Sequence, residues 1–383
     1  MITELFFQLI QTAVAGDNRA NKGLLRVPTS KDWCELYVIS KKQTLHGVCF
    51  YGIQLLPKEQ IVNLTEALKL KWLSDAVAIQ QRNELMNYKC SELLQKFALV
   101  GFKGSILKGQ GVATCYPQAL RTYRKPGDID VYVDASREQV IRYAQSLGDR
   151  RPEWDYKHLH LKIFKKIEVE VHYVPEVFLN IWKNHKLQRW FKMHREWMYS
   201  NSDGSTSDDV LVTPTLAFNL FYILLHTYRH FLYEGVGLRQ LMDYYFVLNA
   251  YRANSVDDEA INDVVGAIKD FGMTRFTRGV LWVLSEVFEG GNPDSQSLML
   301  GAFAPDENEG RYILNQIMAG GNFGHYDERL KTSRKGKFAT VTKIMKHNLH
   351  LLSRYPSDVV WTPLWIVWHW GWKKVETIKL SRI

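Results

Sequence analysis

Cysteine is scarce in this 383-residue chain, with only Cys34, Cys49, Cys90 and Cys115 and no C-x-x-C pair among them. That spacing excludes a zinc knuckle and a disulfide framework, and it predicts a reduced, cytoplasmic setting. Long apolar runs are missing too. The longest nearly uncharged one, Val359 to Trp372, falls short of the roughly 20 residues that span a bilayer. Phe6, Phe7, Leu9 and Ile10 look like the apolar part of a leader. However, Glu4 stands where a basic segment belongs, and no small-residue cleavage site follows. Most of the chain also lacks a charge excess: residues 1–328 hold 37 Lys/Arg against 38 Asp/Glu, although the whole chain carries +9. A protein that coats nucleic acid spreads its positive charge more widely, so no sequence-specific nucleic-acid partner is expected. Apolar residues make up 46% and aromatic residues 13%, which excludes a disordered chain, and the length suggests two or three domains.

Three regions of different character follow one another. Residues 1–95 read as helical, with Ile61, Leu64, Leu68 and Leu70–Trp72 at near-helical spacing and Pro57 as the helix opener. Residues 96–200 read as a small α/β unit. It begins with the glycine-punctuated stretch Phe97–Gly111, and Ile129–Val133 is a strand. Ser136 caps a helix that Gly148 ends. The alternating segments His158–Phe164 and Ile167–Tyr173 form a hairpin about Lys165-Lys166. From the capping signal Thr213-Pro214 onward, helices dominate residues 201–383, with breaks at Gly235/Gly237, Gly290-Gly291 and Gly320-Gly321.

The chemistry centres on Asp128-Ile129-Asp130. On an extended backbone the two carboxylates share one face, about 7 Å apart along the strand, while Ile129 and Val131 point into the sheet. Such a pair can hold hard cations such as Mg²⁺. D-x-D alone is usually a solvated turn, but two other features strengthen it here. Leu107-Lys108-Gly109-Gln110-Gly111 runs from a strand end into a glycine-bearing turn that offers N–H groups and a lysine to phosphate oxygens. Ile167–His172 alternates so that Glu168, Glu170 and His172 share one face, which supplies a third carboxylate.

This order of elements resembles the nucleotidyltransferase superfamily with the DNA polymerase β-type palm. It is most similar to an uncharacterised bacterial nucleotidyltransferase family with Bacteroides-type members. The residues that carry the resemblance are Leu107-Lys108-Gly109, Tyr116-Pro117, Gly127-Asp128-Ile129-Asp130-Val131-Tyr132-Val133, Val169-Glu170-Val171-His172 and Gly237–Tyr245. Asp32-Trp33 and Asn322-Phe323-Gly324-His325-Tyr326 extend it over nearly the whole chain. The resemblance implies an α+β fold: a polymerase β-like core with a small mixed sheet, embedded between N-terminal and C-terminal helical regions. It also implies that Asp128, Asp130 and Glu170 ligate Mg²⁺ (or Mn²⁺) and act in catalysis. Lys108, Gly109, Arg124 and Arg239 would hold the phosphates of an NTP, with Arg124 preferred to Arg121 by its distance to Asp128 as the arginine expected before Gly127-Asp128. Two departures stand out. The interval from Gly109 to Asp128, 19 residues, is long for the superfamily, and the Gly104-Ser105 pair precedes Ile106-Leu107 instead of following it. The implied reaction is transfer of an NMP from an NTP to a hydroxyl or phosphate acceptor with release of pyrophosphate. The alternatives are a non-catalytic nucleotide-binding or regulatory protein, or a membrane-associated factor in envelope polysaccharide assembly.

His226 and His230, at i, i+4 without a following Glu, read as packing or polar-network histidines, and Arg239 and Asp243 could pair across a helix face. The last 55 residues hold 12 Lys/Arg against Asp358 and Glu376, a balance of +10. Five of the 12 Trp lie between Trp361 and Trp372, with Trp365, Trp368 and Trp372 on one helical face beside Lys373-Lys374. Residues 329–383 therefore suggest either a Trp face that closes the core or a contact with an anionic membrane surface, peripheral at its inner face.

Overall fold

The computed structural model describes residues 2–16, 23–199, 211–254, 257–291, 303–324, 326 and 337–380. Four helices open the chain: α1 (Ile2–Ala15), α2 (Ser30–Lys42), α3 (His46–Gln54) and α4 (Glu66–Leu99). The leader-like residues Phe6, Leu9 and Ile10 of α1 are fully buried in the core. A capping box starts α2, with the Thr29 hydroxyl accepting from Asp32 N while the Asp32 carboxylate accepts from Thr29 N. Pro57 does not open α4; it precedes a single 3₁₀ turn, Lys58–Gln60. The long helix starts after Thr65, whose hydroxyl takes an otherwise unpaired N–H, from Leu68.

The middle of the chain forms β1 (Gly104–Ile106), the short turns α5 (Gln110–Ala113) and α6 (Gln118–Arg121), β2 (Ile129–Val133), α7 (Arg137–Ser146), β3 (Glu153–Trp154), β4 (His158–His160) and β5 (Val169–His172). The five strands make one mixed sheet in the order β1-β2-β5-β4-β3, parallel only between β2 and β5. The hairpin about Lys165-Lys166 forms, but its paired strands are shorter than the alternation suggests. Ile129, Val131, Val133, Val169 and Val171 face a core that Met86, Cys90, Leu93 and Phe97 of α4 and Val140, Ile141 and Ala144 of α7 complete. The other face of the sheet is left to the polar residues of β2 and β5.

Helices α8 (Ile181–Met193), α9 (Leu216–Tyr233), α10 (Leu238–Ala253), α11 (Asp258–Asp270), α12 (Thr274–Leu284), α13 (Glu307–Gly320), α14 (Lys337–Leu351), α15 (Pro356–Val359) and α16 (Thr362–Leu380) follow. The cap of α9 is Thr215, two residues beyond the Thr213-Pro214 signal. Apolar residues of α1 to α3 and of α9 to α13 share one core. Gln11 of α1 ties that core across the chain by donating to the carbonyls of Glu286 and Val287. The regions 1–95, 96–200 and 201–383 therefore mark changes in sequence character. Packing produces two cores, one under the sheet and one joining both helical regions. The architecture is α+β, a small mixed sheet flanked by helices, and among the described residues no helix is long and apolar enough to cross a membrane.

Candidate active site

Strand pairing builds the site. In the parallel pair β2/β5, Asp130 lies directly opposite Glu170, and Asp128 precedes β2 on the same face. Ligand oxygens of Asp128, Asp130 and Glu170 all lie within 4.8 Å of one another. Leu107 N donates to Asp130 O at 2.9 Å, which brings the end of β1 alongside, and Lys108 Nζ then reaches Asp130 Oδ1 at 2.7 Å. The turn that follows needs its glycines. Gly109 adopts φ +55°, and a Cβ on Gly111 would stand 2.3 Å from the Ile106 carbonyl oxygen. On β5, His172 Nε2 sits 3.0 Å from Asp130 Oδ1 and 3.4 Å from Glu170 Oε2.

These groups set one another's charge. Asp130, followed by burial, pushes the Asp128 carboxyl above its ordinary range. Burial works against an ionised Asp130, but Lys108 and His172 outweigh it and hold Asp130 well below that range. Glu170 is likewise opposed by burial, yet the hydrogen bond from His172 brings it down to about 2. Burial disfavours the His172 cation, and the two carboxylates overcome that and raise it. The Lys108 ammonium follows the same rule, disfavoured by burial and raised by Asp130, Asp128 and Glu170. Three carboxylates with no thiolate form an oxygen-only donor set of the kind that suits Mg²⁺ or Mn²⁺.

The trio lies in a cavity of about 670 Å³ that Lys108, Gly109, Arg124 and Arg239 also line. All seven residues singled out from the sequence thus meet in one place. A model of a family described as uncharacterised nucleotidyltransferase matches residues 29–289. The chain belongs to this nucleotidyltransferase family. Among solved structures it is similar to an antigenic nucleotidyltransferase-like protein from Paracoccidioides brasiliensis, with 10% identity over 58% of this chain and 94% of that chain and a TM-score of 0.34. None of the curated proteins matches it.

The two arginines of the cavity differ. Arg239 does not pair with Asp243 in a hydrogen bond; its Nη1 donates to the Lys125 carbonyl at 2.9 Å beside Gly127. Asp243 is instead taken by Arg124, through Nε and Nη2 at 2.7 Å each, and by the Tyr116 hydroxyl at 2.6 Å. Arg124 Nη1 is buried without a hydrogen-bond partner.

His226 and His230 hold no metal cluster among the described residues. They serve a polar network, as their spacing without a Glu suggests. His226 Nδ1 is 2.8 Å from Glu176 Oε2 and its Nε2 is 3.3 Å from Lys108 Nζ, while His230 pairs with Glu234. Glu176 was not legible in the sequence. It is fully buried between His226, Lys157 and Arg229, and burial, which opposes its charge, is outweighed by Lys157 and Arg229.

The share of the tail in the cavity wall was also missed. Tyr156, Trp365 and His369 line the cavity, the last two from α16, which lies beyond the matched residues 29–289. Trp365, Trp368 and Trp372 share one face, as their spacing indicates, and that face packs on Tyr156 with ring centroids 5.7, 5.7 and 5.3 Å away. Leu364, Val367 and Trp370 point outward. Lys331, Arg334 and Lys335 of the basic stretch lie outside the described residues.

Proposed function

We propose that this protein is a Mg²⁺-dependent nucleotidyltransferase that moves an NMP from an NTP to a hydroxyl or phosphate acceptor and releases pyrophosphate. The observation that carries this reading is the meeting of Asp128, Asp130 and Glu170 within 4.8 Å beside Lys108 in a cavity of nucleotide size. Asp128, Asp130 and Glu170 would hold the ions. A divalent ion bound there supplies charge stabilisation for the attacking and leaving oxygens.

Without nucleotide, Lys108 is the counter-charge of Asp130. Its flexible stem lets it exchange that carboxylate for a phosphate oxygen. Arg239 and the unpartnered Nη1 of Arg124 add positive charge on the same side. The sheet order supports a separation of the two substrates. Lys108 and Gly109 follow β1, whereas Tyr156, Trp365 and His369 lie at the β4–β3 end, with Glu170 between. Phosphates belong at the cationic end and the acceptor at the aromatic end, next to Glu170. Against burial, His172 holds the Glu170 carboxylate ionised below its usual range, which supports a role for Glu170 in ligating the ion and orienting the acceptor.

The test is Asp128→Asn with Asp130→Asn, read by calorimetry of ATP with Mg²⁺. A folded double variant should lose Mg²⁺-dependent ATP binding, and unchanged affinity would overturn the assignment. A peripheral contact with an anionic membrane is a separate reading. It is favoured by the outward Leu364, Val367 and Trp370, with Lys374 4.0 Å from the Trp370 ring centroid.

A further inference from the structure

Beside the oxygen trio, β4 and β5 bring a second set of ligands to the same carboxylate. His158, Glu170 and His172 each present a ligand atom, and these atoms lie within 4.8 Å of one another. His172 Nε2 is 3.4 Å from Glu170 Oε2, and His158 Nε2 is 3.6 Å from Glu170 Oε1. Two ligands about 2.0–2.1 Å from one ion at a tetrahedral angle stand roughly 3.3–3.5 Å apart. Both histidine–carboxylate separations are therefore already close to those of a ligated ion.

Strand pairing holds the set, not a loop. His158 is the register partner of His172, and Glu170 lies two residues along the same face. Both histidines are buried, with Nε2 of each turned toward Glu170. His160 Nε2, 3.3 Å from His158 Nε2, stands close enough to add a third imidazole.

We propose that Glu170, His158 and His172 form a second, nitrogen-bearing metal site for a borderline transition ion such as Zn²⁺, adjacent to the oxygen-only set and sharing Glu170 with it. Imidazole nitrogen favours Zn²⁺ over Mg²⁺, whereas Asp128 and Asp130 offer only hard oxygen. Ligation releases any proton that His172 Nε2 shares with Asp130 Oδ1 and leaves Asp130 to Lys108 and the hard ion. The inference shares Glu170 with the reading above but does not need nucleotidyl transfer, and its test contains no nucleotide.

The metal-free full chain is titrated by calorimetry with Zn²⁺ and, separately, with Mg²⁺. One Zn²⁺ should bind far more tightly than Mg²⁺. His158→Ala should weaken Zn²⁺ by at least about tenfold, whereas Asp128→Asn should weaken Mg²⁺ and spare Zn²⁺. Zn²⁺ binding that survives His158→Ala but is lost in Asp128→Asn overturns the proposal. X-ray absorption at the zinc edge, on the unmodified chain with one equivalent of Zn²⁺, needs no variant and counts imidazole ligands directly. Two or more support the site, and fewer than two overturn it. Loss of the zinc site with Mg²⁺-dependent ATP binding intact leaves the proposed function standing, so the two failures are distinguishable.

Discussion

Replacing Asp243 with alanine removes the acceptor of three short hydrogen bonds, from Arg124 Nε, Arg124 Nη2 and the Tyr116 hydroxyl. Arg124 is 3% exposed, so its guanidinium cannot turn to water. Breaking a buried pair from one side costs about 3–5 kcal/mol, because the remaining charge stays buried without its partner. At roughly 2 °C per kcal/mol for a chain of this size, the melting temperature should fall by about 6–10 °C. The double variant Arg124→Leu with Asp243→Leu removes both charges. It should recover most of that loss, since buried pairs replaced by apolar residues are often near neutral. If the pair positions a cationic wall of the cavity, the double variant still binds ATP with Mg²⁺ less tightly than the parent. Scanning calorimetry with the melting curves of parent, single and double variants decides it. A single variant within about 1 °C of the parent, or a double variant as damaged as the single, refutes the reasoning.

Three further outcomes follow from the same geometry. Glu170→Gln should lower turnover by at least about a hundredfold, the upper end seen for partners that only support metal ligands. Glu168→Gln should change turnover little, because Glu168 is exposed and contributes only its carbonyl, to Ile129 N. The reverse ranking in a pyrophosphate-release assay would show that the strand register is wrong. Glu176→Gln leaves Lys157 and Arg229 without their shared carboxylate and should cost about 3–5 kcal/mol at neutral pH. Glu176 has a depressed pKa, so its contribution is present above the ordinary carboxylate range and lost as pH falls toward the folded value. Acid titration of stability should therefore be flatter in Glu176→Gln than in the parent. Trp365→Ala with Trp368→Ala should cost about 2–4 kcal/mol together, less than two fully buried rings, because Trp368 is 41% exposed. Binding to anionic vesicles should follow Trp370 and Val367 instead, and co-sedimentation that tracks Trp365 and Trp368 would count against that surface.

The parts of the site that were legible in the sequence are those governed by local periodicity. A strand turns successive side chains to opposite faces, so Asp128 and Asp130 could be set on one face, and Ile129 and Val131 on the other, without knowledge of any partner strand. The same rule paired Glu170 with His172, and the resemblance chose Glu170 over Glu168. What stayed hidden depends on contacts far apart in the chain. Arg124 and Asp243 are separated by 119 residues, and His226 and Glu176 by 50. Arg239 and Asp243 at i, i+4 suggested a pair, but a buried bidentate partner outcompetes an i, i+4 contact worth a few tenths of a kcal/mol. The starting point of α4 was misplaced for a different reason: a proline fits many turns, whereas a threonine hydroxyl satisfies a specific orphan N–H.

Lys108 and Arg124, two cationic residues of the cavity wall, illustrate how differently buried charge can be held. Arg124 is fixed by two parallel bonds to Asp243, which Tyr116 also clamps, so moving it means abandoning three partners at once. Lys108 makes one ion pair with Asp130 and one contact with His226, on a stem with rotatable bonds. Asp130 is also the carboxylate that a metal would need. A site that must bind cations when nucleotide arrives, yet remain folded without them, requires a counter-charge that can leave. Lys108 meets that requirement and Arg124 does not. Under the proposed function Lys108 would be the residue that exchanges carboxylate for phosphate, and Arg124 the strut that keeps the cavity wall in place while it does so.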